Sequence, residues 1–188
     1  ERDESAKDIG DRKLLGKQRV VVRKGLEPKA SVRLTFHGDA PWSTEERFSL
    51  KSAIDILRIR LREVLREDKG GVYGVGIYGG LNRFPEGNFS SSISFGCEPD
   101  KVEDLIKAAL DEVEALKQDG PSEDNLNKIK EADLRSYERG LRENGFWLSN
   151  LSYSIQNELD PNRILSYPER VEALTAERIQ EAARSEEH

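Results

Sequence analysis

Methionine is absent from the chain, cysteine occurs once, at Cys97, and histidine only twice, at His37 and His188. A single cysteine excludes an intrachain disulfide and leaves the redox compartment unread. Its neighbours alternate like a strand, so Cys97 is expected to be a small buried apolar residue. Two histidines and one thiol are too few donors for a structural zinc or a histidine-ligated catalytic zinc. His37 has no second histidine or cysteine near it in sequence and is taken as a surface residue. No apolar run approaches the ~18 residues that read as a membrane span, so none is expected. Signal-peptide patterning is also missing, and the opening "ERDESAKDIGDRK" is expected to be the middle of a longer polypeptide.

Other absences remove function classes. No basic block interleaves with aromatic residues, which argues against a nucleic-acid partner. No nucleophile-elbow pattern precedes a serine. Glycine pairs at 70–71 and 79–80 and the "GVG" at 74–76 follow a helix and open a strand. A phosphate-binding glycine loop has the reverse order, leaving a strand and opening a helix.

What the chain does contain is charge of both signs. Thirty basic and thirty-six acidic residues give a net charge of −6. Charged residues make up 35% of the chain, above the usual level of about 25%, and their mixed order suits solvated helix faces. Its 188 residues fit one compact domain, and a domain of that size buries roughly 70% of its unfolded surface. Polar residues 1–17 are expected to be a linker or arm, and 18–188 a single α+β domain.

Hydrophobic periodicity gives the elements. "QRVVVRKG" is a β-branched, strand-like run stopped by Gly25, and "ASVRLTFHG" alternates, with Val32, Leu34 and Phe36 on one side. Ser43 with Glu46 resembles a capping box opening a long helix. The apolar positions Leu50, Ala53, Ile54, Leu57, Leu61, Val64 and Leu65 predict one buried stripe, while Arg58, Arg62 and Arg66 lie four apart on another, solvated one. "VYGVGIYGG" and "NFSSSISFGCE" follow as strands; in the second, Phe89, Ile93, Phe95 and Cys97 face one way and Ser90, Ser92 and Ser94 the other. Helices then run to the end, broken at "DGP" (capped by Ser122), at Asn144-Gly145, at Asp160-Pro161, and around Pro168 and Thr175. Segregated elements of this kind predict a mainly antiparallel sheet with helices packed on one face. The aromatic pair Phe146 and Trp147, between amphipathic helices, is assigned to core packing rather than to ligand docking.

Arg66 and Tyr73 stand seven residues apart across Gly70-Gly71. A guanidinium fork and a phenol hydroxyl together suit peptide carbonyls, or an oxygen that gains negative charge during amide hydrolysis. The ordinary alternative is a basic residue favoured at a helix C-terminus and an aromatic favoured in a strand. Alternation also puts Tyr73 on the side of Val75 and Ile77, the apolar side, unless it precedes the regular strand.

The segments "LREVLREDKGGVYGVG", "SISFGCEPDKVEDLI", "DGPSEDNLNKIKE" and "ENGFWLSNLSYSIQNELDPNRIL", in this order, resemble the C-terminal domain of insulinase/pitrilysin-type zinc peptidases. The likeness covers roughly 18–183 and leans to the long bacterial periplasmic branch, which points to the periplasm or cell envelope. It implies a clamshell enzyme built of repeated α+β domains. The N-terminal half of the parent would carry zinc on an inverted His-x-x-Glu-His motif, absent here. Arg66 and Tyr73 match in type and spacing the pair with which the last domain contacts the peptide backbone or oxyanion. The implied partners are the zinc-bearing half of the same polypeptide and a peptide substrate; the fragment itself would hold no cofactor and no catalytic residue. Relatives continue past "QEAARS" into a further strand, so the sheet is expected to lack an edge or be completed from elsewhere. The other reading is a catalytically inactive structural or assembly module of the same fold.

Overall fold

A computed structural model describes residues 16–68 and 72–184, with the backbone alone for Glu67, Asp68 and Tyr73. Strand β1 spans Ala30–Asp39, and helix α1 spans Thr44–Arg62. A π-type segment, Glu63–Asp68, prolongs α1. Strands β2 (Val72–Asn82) and β3 (Asn88–Cys97) follow, and then the helices take over. These are α2 (Val102–Asp119), α3 (Glu123–Gly140), α4 (Asn144–Gln156), α5 (Tyr167–Glu172) and α6 (Ala176–Arg184). The fold is α+β, as the segregation of strands and helices predicts.

The three strands form an antiparallel sheet in the order β1-β3-β2. β3 holds the centre because its alternation is strict: every second residue from Phe89 to Cys97 is buried, Ser91 included. Opposite these residues stand Val32, Leu34 and Phe36 of β1 and Val75, Ile77 and Leu81 of β2. On that apolar face α1 lays Leu50, Ile54 and Leu61, the π-type segment lays Leu65, and α2 adds Leu105, Ala108 and Ala109. Each fully buried Leu, Ile or Phe contributes roughly 1.5–3 kcal/mol, so this layer anchors the sheet.

Helix α1 starts where the capping box places it, with Ser43 Oγ accepting from the Glu46 backbone N–H at 3.0 Å. Its burial is wider than the single stripe expected. Ala53 and Ile56 form a second cluster with Leu116, Ile129, Leu174 and Ile179, so α1 is sandwiched between the sheet and the later helices. Ile56 is wholly buried although it lies off the expected stripe. Lys51 Nζ reaches Asp55 and Asp133, each at 2.8 Å, tying α1 to α3. Arg60 Nε meets Glu112 Oε2 at 2.6 Å, tying α1 to α2.

Four other expectations can be set against the structure. "QRVVVRKG" makes no strand among the described residues: Val20 and Val22 are 86% and 81% exposed and no ladder reaches them. β-branched residues favour extended backbone, but a strand needs a neighbour to pair with. Arg62 and Arg66 are exposed as expected of a solvated stripe, while Arg58 is half-buried: it pairs with Asp55 and donates through Nη2 to the Ile77 carbonyl of β2 at 3.1 Å. Cys97 is buried and unpaired, and burial raises its thiol pKa. Phe146 and Trp147 are half-buried and belong to neither core cluster, contrary to the core packing expected; they pack locally, Phe146 edge-on to Tyr137 at 6.0 Å and Trp147 Nε1 donating to the Leu141 carbonyl at 3.0 Å. The linker assigned to 1–17 lies almost wholly outside the described residues.

Candidate functional site

Because α1 and α2 cover one face of the sheet, the alternate residues of the same strands make the other. Ser90, Ser92 and Ser94 run down its middle. Arg33, Thr35 and His37 of β1 flank them on one side, and Gly76, Tyr78 and Gly80 of β2 on the other. Thr35 Oγ1 and Ser92 Oγ lie 3.1 Å apart. Serine and glycine leave the backbone close to the surface, so this face forms a low floor with polar groups on it. Tyr78 stands out at 72% exposed. Its ring leans along β2, with Cε2 3.1 Å from where a Cβ on Gly76 would lie.

The π-type segment packs against β2 and α2. Such wider turns inside helices recur at functional sites. Here the turn ends the α-helical phase after Arg62, so Arg66 no longer continues the four-residue stripe of Arg58 and Arg62. Leu65 is sealed in the core, and its neighbour Arg66 is exposed. Among the described residues, no hydrogen-bond or ion-pair partner holds the Arg66 guanidinium. The backbone of Tyr73 sits in β2 where the pairing slips: Val72 faces Cys97 and Gly74 faces Gly96. Alternation therefore does not carry from Val75 back through Tyr73, and the objection drawn from it lapses. The Tyr73 side chain and Gly70-Gly71 lie outside the described residues.

No group of three or more His, Cys, Asp or Glu side chains among the described residues could hold a metal ion. His37 pairs across the strands with Ser90, far in type from a ligand set. The described residues do not compose a zinc site. No helix among the described residues is long and apolar enough to cross a membrane.

Residues 7–132 match the family model described as the peptidase M16 inactive domain. The chain belongs to the peptidase M16 inactive domain family. Its relatives include a zinc protease PQQL-like protein of Arabidopsis thaliana, 28% identical over 141 residues. That alignment covers 71% of this chain and 15% of the relative. The fold is that of the periplasmic protease PqqL from Escherichia coli, with a TM-score of 0.74 at 22% identity, covering 85% of this chain and 18% of that one. A peptidase M16 inactive domain from Pseudomonas fluorescens superposes with a TM-score of 0.64 at 20% identity, over 82% of this chain and 37% of that one. This M16 domain thus spans less than a fifth of the length of the first relatives it matches.

Sequence spacing alone did not single out Arg47 and Arg83. They are 36 residues apart, and only the fold brings both to one cleft at the far end of β2.

Proposed function

We propose that this M16 domain is the zinc-free, substrate-binding domain of a zinc metalloendopeptidase that closes around its peptide. In this reading residues 18–188 form one domain behind a linker at 1–17, and zinc belongs to the N-terminal half of the same polypeptide. Bound there, a zinc ion would supply an activated water for amide hydrolysis. Arg66 and Tyr73 would donate hydrogen bonds to the peptide backbone or to the oxyanion that develops on the scissile carbonyl. Donors aimed where charge appears lower the barrier more than donors that merely hold the ground state.

The observation that carries this reading is the position of Arg66. It is exposed, unpaired among the described residues, and set on a wider turn that packs against β2. Arg58 and Arg60 of the same helix, by contrast, are engaged with Asp55 and Glu112. The names of the relatives, one a zinc protease PQQL-like protein and one a periplasmic protease, support the assignment to a peptidase.

Kinetics of the full-length parent test it. Arg66→Ala or Tyr73→Phe should lower kcat about 100–1,000-fold while zinc content stays at the wild-type level. Loss of metal in either variant would make the pair structural. Unchanged turnover in both would leave the domain as an assembly module. The 188-residue chain alone should hydrolyse no peptide; activity from it would overturn the division of labour.

A further inference from the structure

Beyond Gly80 the open floor of the sheet does not simply stop. It runs into a cleft of about 630 Å3 lined by Trp42, Arg47, Gly80, Arg83, Phe84 and Tyr153, with Ser90 at its floor side. Two guanidinium groups enter this cleft and no carboxylate lines it. Both lie against aromatic rings. Arg83 Cζ lies 5.1 Å from the Trp42 ring centroid and 5.2 Å from that of Phe84. Arg47 Cζ lies 4.6 Å from the centroid of Tyr153, and Arg163 Cζ lies 5.7 Å from the same ring.

Arg83 also donates through Nη1 to the Asn157 carbonyl at 2.5 Å, which fixes its plane and leaves most of its five donors for other partners. One carboxylate comes near: Glu158 Oε2, 3.5 Å from Arg83 Nη2, on a side chain 86% exposed. That contact shows that a carboxylate fits beside Arg83, held loosely enough to be displaced. Aromatic walls and pre-positioned guanidinium groups suit an acid carried on an apolar or extended stem.

We infer that this cleft binds a carboxylate of a peptide lying on the open face of the sheet, from an acidic side chain or from the chain end. The inference rests on the proposed role of that face as a peptide-binding surface and adds a substrate class to it. At a rise of ~3.3 Å per residue, the seven residues from Tyr73 to Gly80 span roughly 23 Å. The bound acid and the peptide bond gripped by Arg66 and Tyr73 would then be about seven residues apart. Glu158 acts as an internal competitor that a substrate acid replaces.

Binding of three short acetylated peptides to the 188-residue chain tests this: one amidated with an internal Glu, one amidated with Gln in its place, and the Gln peptide with a free C-terminal carboxylate. The Glu peptide should bind about tenfold tighter than the amidated Gln peptide, as expected for a charge-assisted pair. The gap should narrow as salt rises. Arg47→Gln and Arg83→Gln should each shrink it, whereas Glu158→Gln should tighten the Glu peptide about twofold. Arg47 is exposed on α1, so its variant tests the cleft even where Arg83→Gln disturbs the β2–β3 turn. Tight binding by the free-acid peptide would add chain ends to the acids accepted. Arg66→Ala should weaken all peptides alike; if it changes none while the Glu preference persists, the grip at Arg66 fails and the cleft stands. Equal binding of Glu and Gln peptides, no binding of the Glu peptide, or a preference that survives both arginine variants overturns the cleft.

Discussion

The two faces of the sheet come from the same three strands, yet one is filled and the other bare. Toward α1 and α2, β3 presents Phe89, Ile93, Phe95 and Cys97; toward the open side it presents Ser90, Ser92 and Ser94. Alternation costs the chain nothing extra, because successive side chains of a strand point to opposite sides. It lets one strand carry stability and function on separate residues. The covered face tolerates little change, since each side chain there touches several others. The open face can change its chemistry with small effect on folding.

The sharpest way to break this comparison is truncation on the covered face. Ile93→Ala, at a residue 1% exposed in the centre of the sheet, should cost about 3 kcal/mol in chemical denaturation. A loss below about 1 kcal/mol would mean that the face is not packed as described. Two adjacent glycines give a finer version. A Cβ on Gly79, exposed itself but on the side of Ile77 and Leu81, would meet Ser91 Cβ at 2.6 Å and the Ser90 carbonyl oxygen at 2.7 Å. On Gly80, facing the open side, it would meet nothing within 4 Å. Gly79→Ala should therefore cost about 2 kcal/mol. Gly80→Ala should lie within about 0.5 kcal/mol of wild type. Equal effects at both positions would erase the distinction between the faces.

The covered face was also the legible one. Period-two alternation in "NFSSSISFGCE" suffices to place β3, and Ser43 with Glu46 suffices to start α1. What escaped depends on neighbours. Ile56 lies off the expected stripe because nothing local reveals that α1 is covered on two sides. Val20–Val22 have strand composition but no strand beside them among the described residues. The slip of helical hydrogen bonding at Glu63–Asp68 has no compositional mark, yet it decides where Arg66 stands. At the candidate site, residue type and spacing proposed Arg66 and Tyr73, while the Arg47–Arg83 cleft required contacts across distant parts of the chain.

A smaller effect separates the helical side of the molecule from the open face by pH. Burial lowers the Lys51 pKa, but Asp55 and Asp133 outweigh it, and the ammonium titrates above its ordinary value. Burial also pushes the Tyr167 phenol up to about 12, with Asp133 adding to the rise. Both groups hold their protons more tightly folded than unfolded. Their contribution is complete below about pH 10 and fades as the pH climbs toward 12. Denaturation midpoints should stay level from neutral pH to about 8.5, where the buried Cys97 thiol begins to count against the folded state, and fall further above about 10. Lys51→Met should lower stability at neutral pH by about 1 kcal/mol, discounted because the ammonium is half exposed. It should also make the alkaline decline shallower. An unchanged alkaline slope in that variant would remove Lys51 from the account.

The smallest stability change is expected at the residue with the largest proposed role. Arg66 is exposed and unpaired among the described residues, so Arg66→Ala removes no contact that the described fold depends on. Its denaturation midpoint should differ from wild type by less than about 0.5 kcal/mol, the range of surface substitutions away from special features. Arg60→Ala is the internal control. It severs a mostly buried pair with Glu112 and should cost more, because it strands a carboxylate at the α1–α2 contact. If Arg66→Ala instead destabilises as much as Arg60→Ala, then Arg66 serves the packing of the π-type segment. A guanidinium needed for that packing is not free to meet a peptide, and the grip proposed at this end of β2 would be lost.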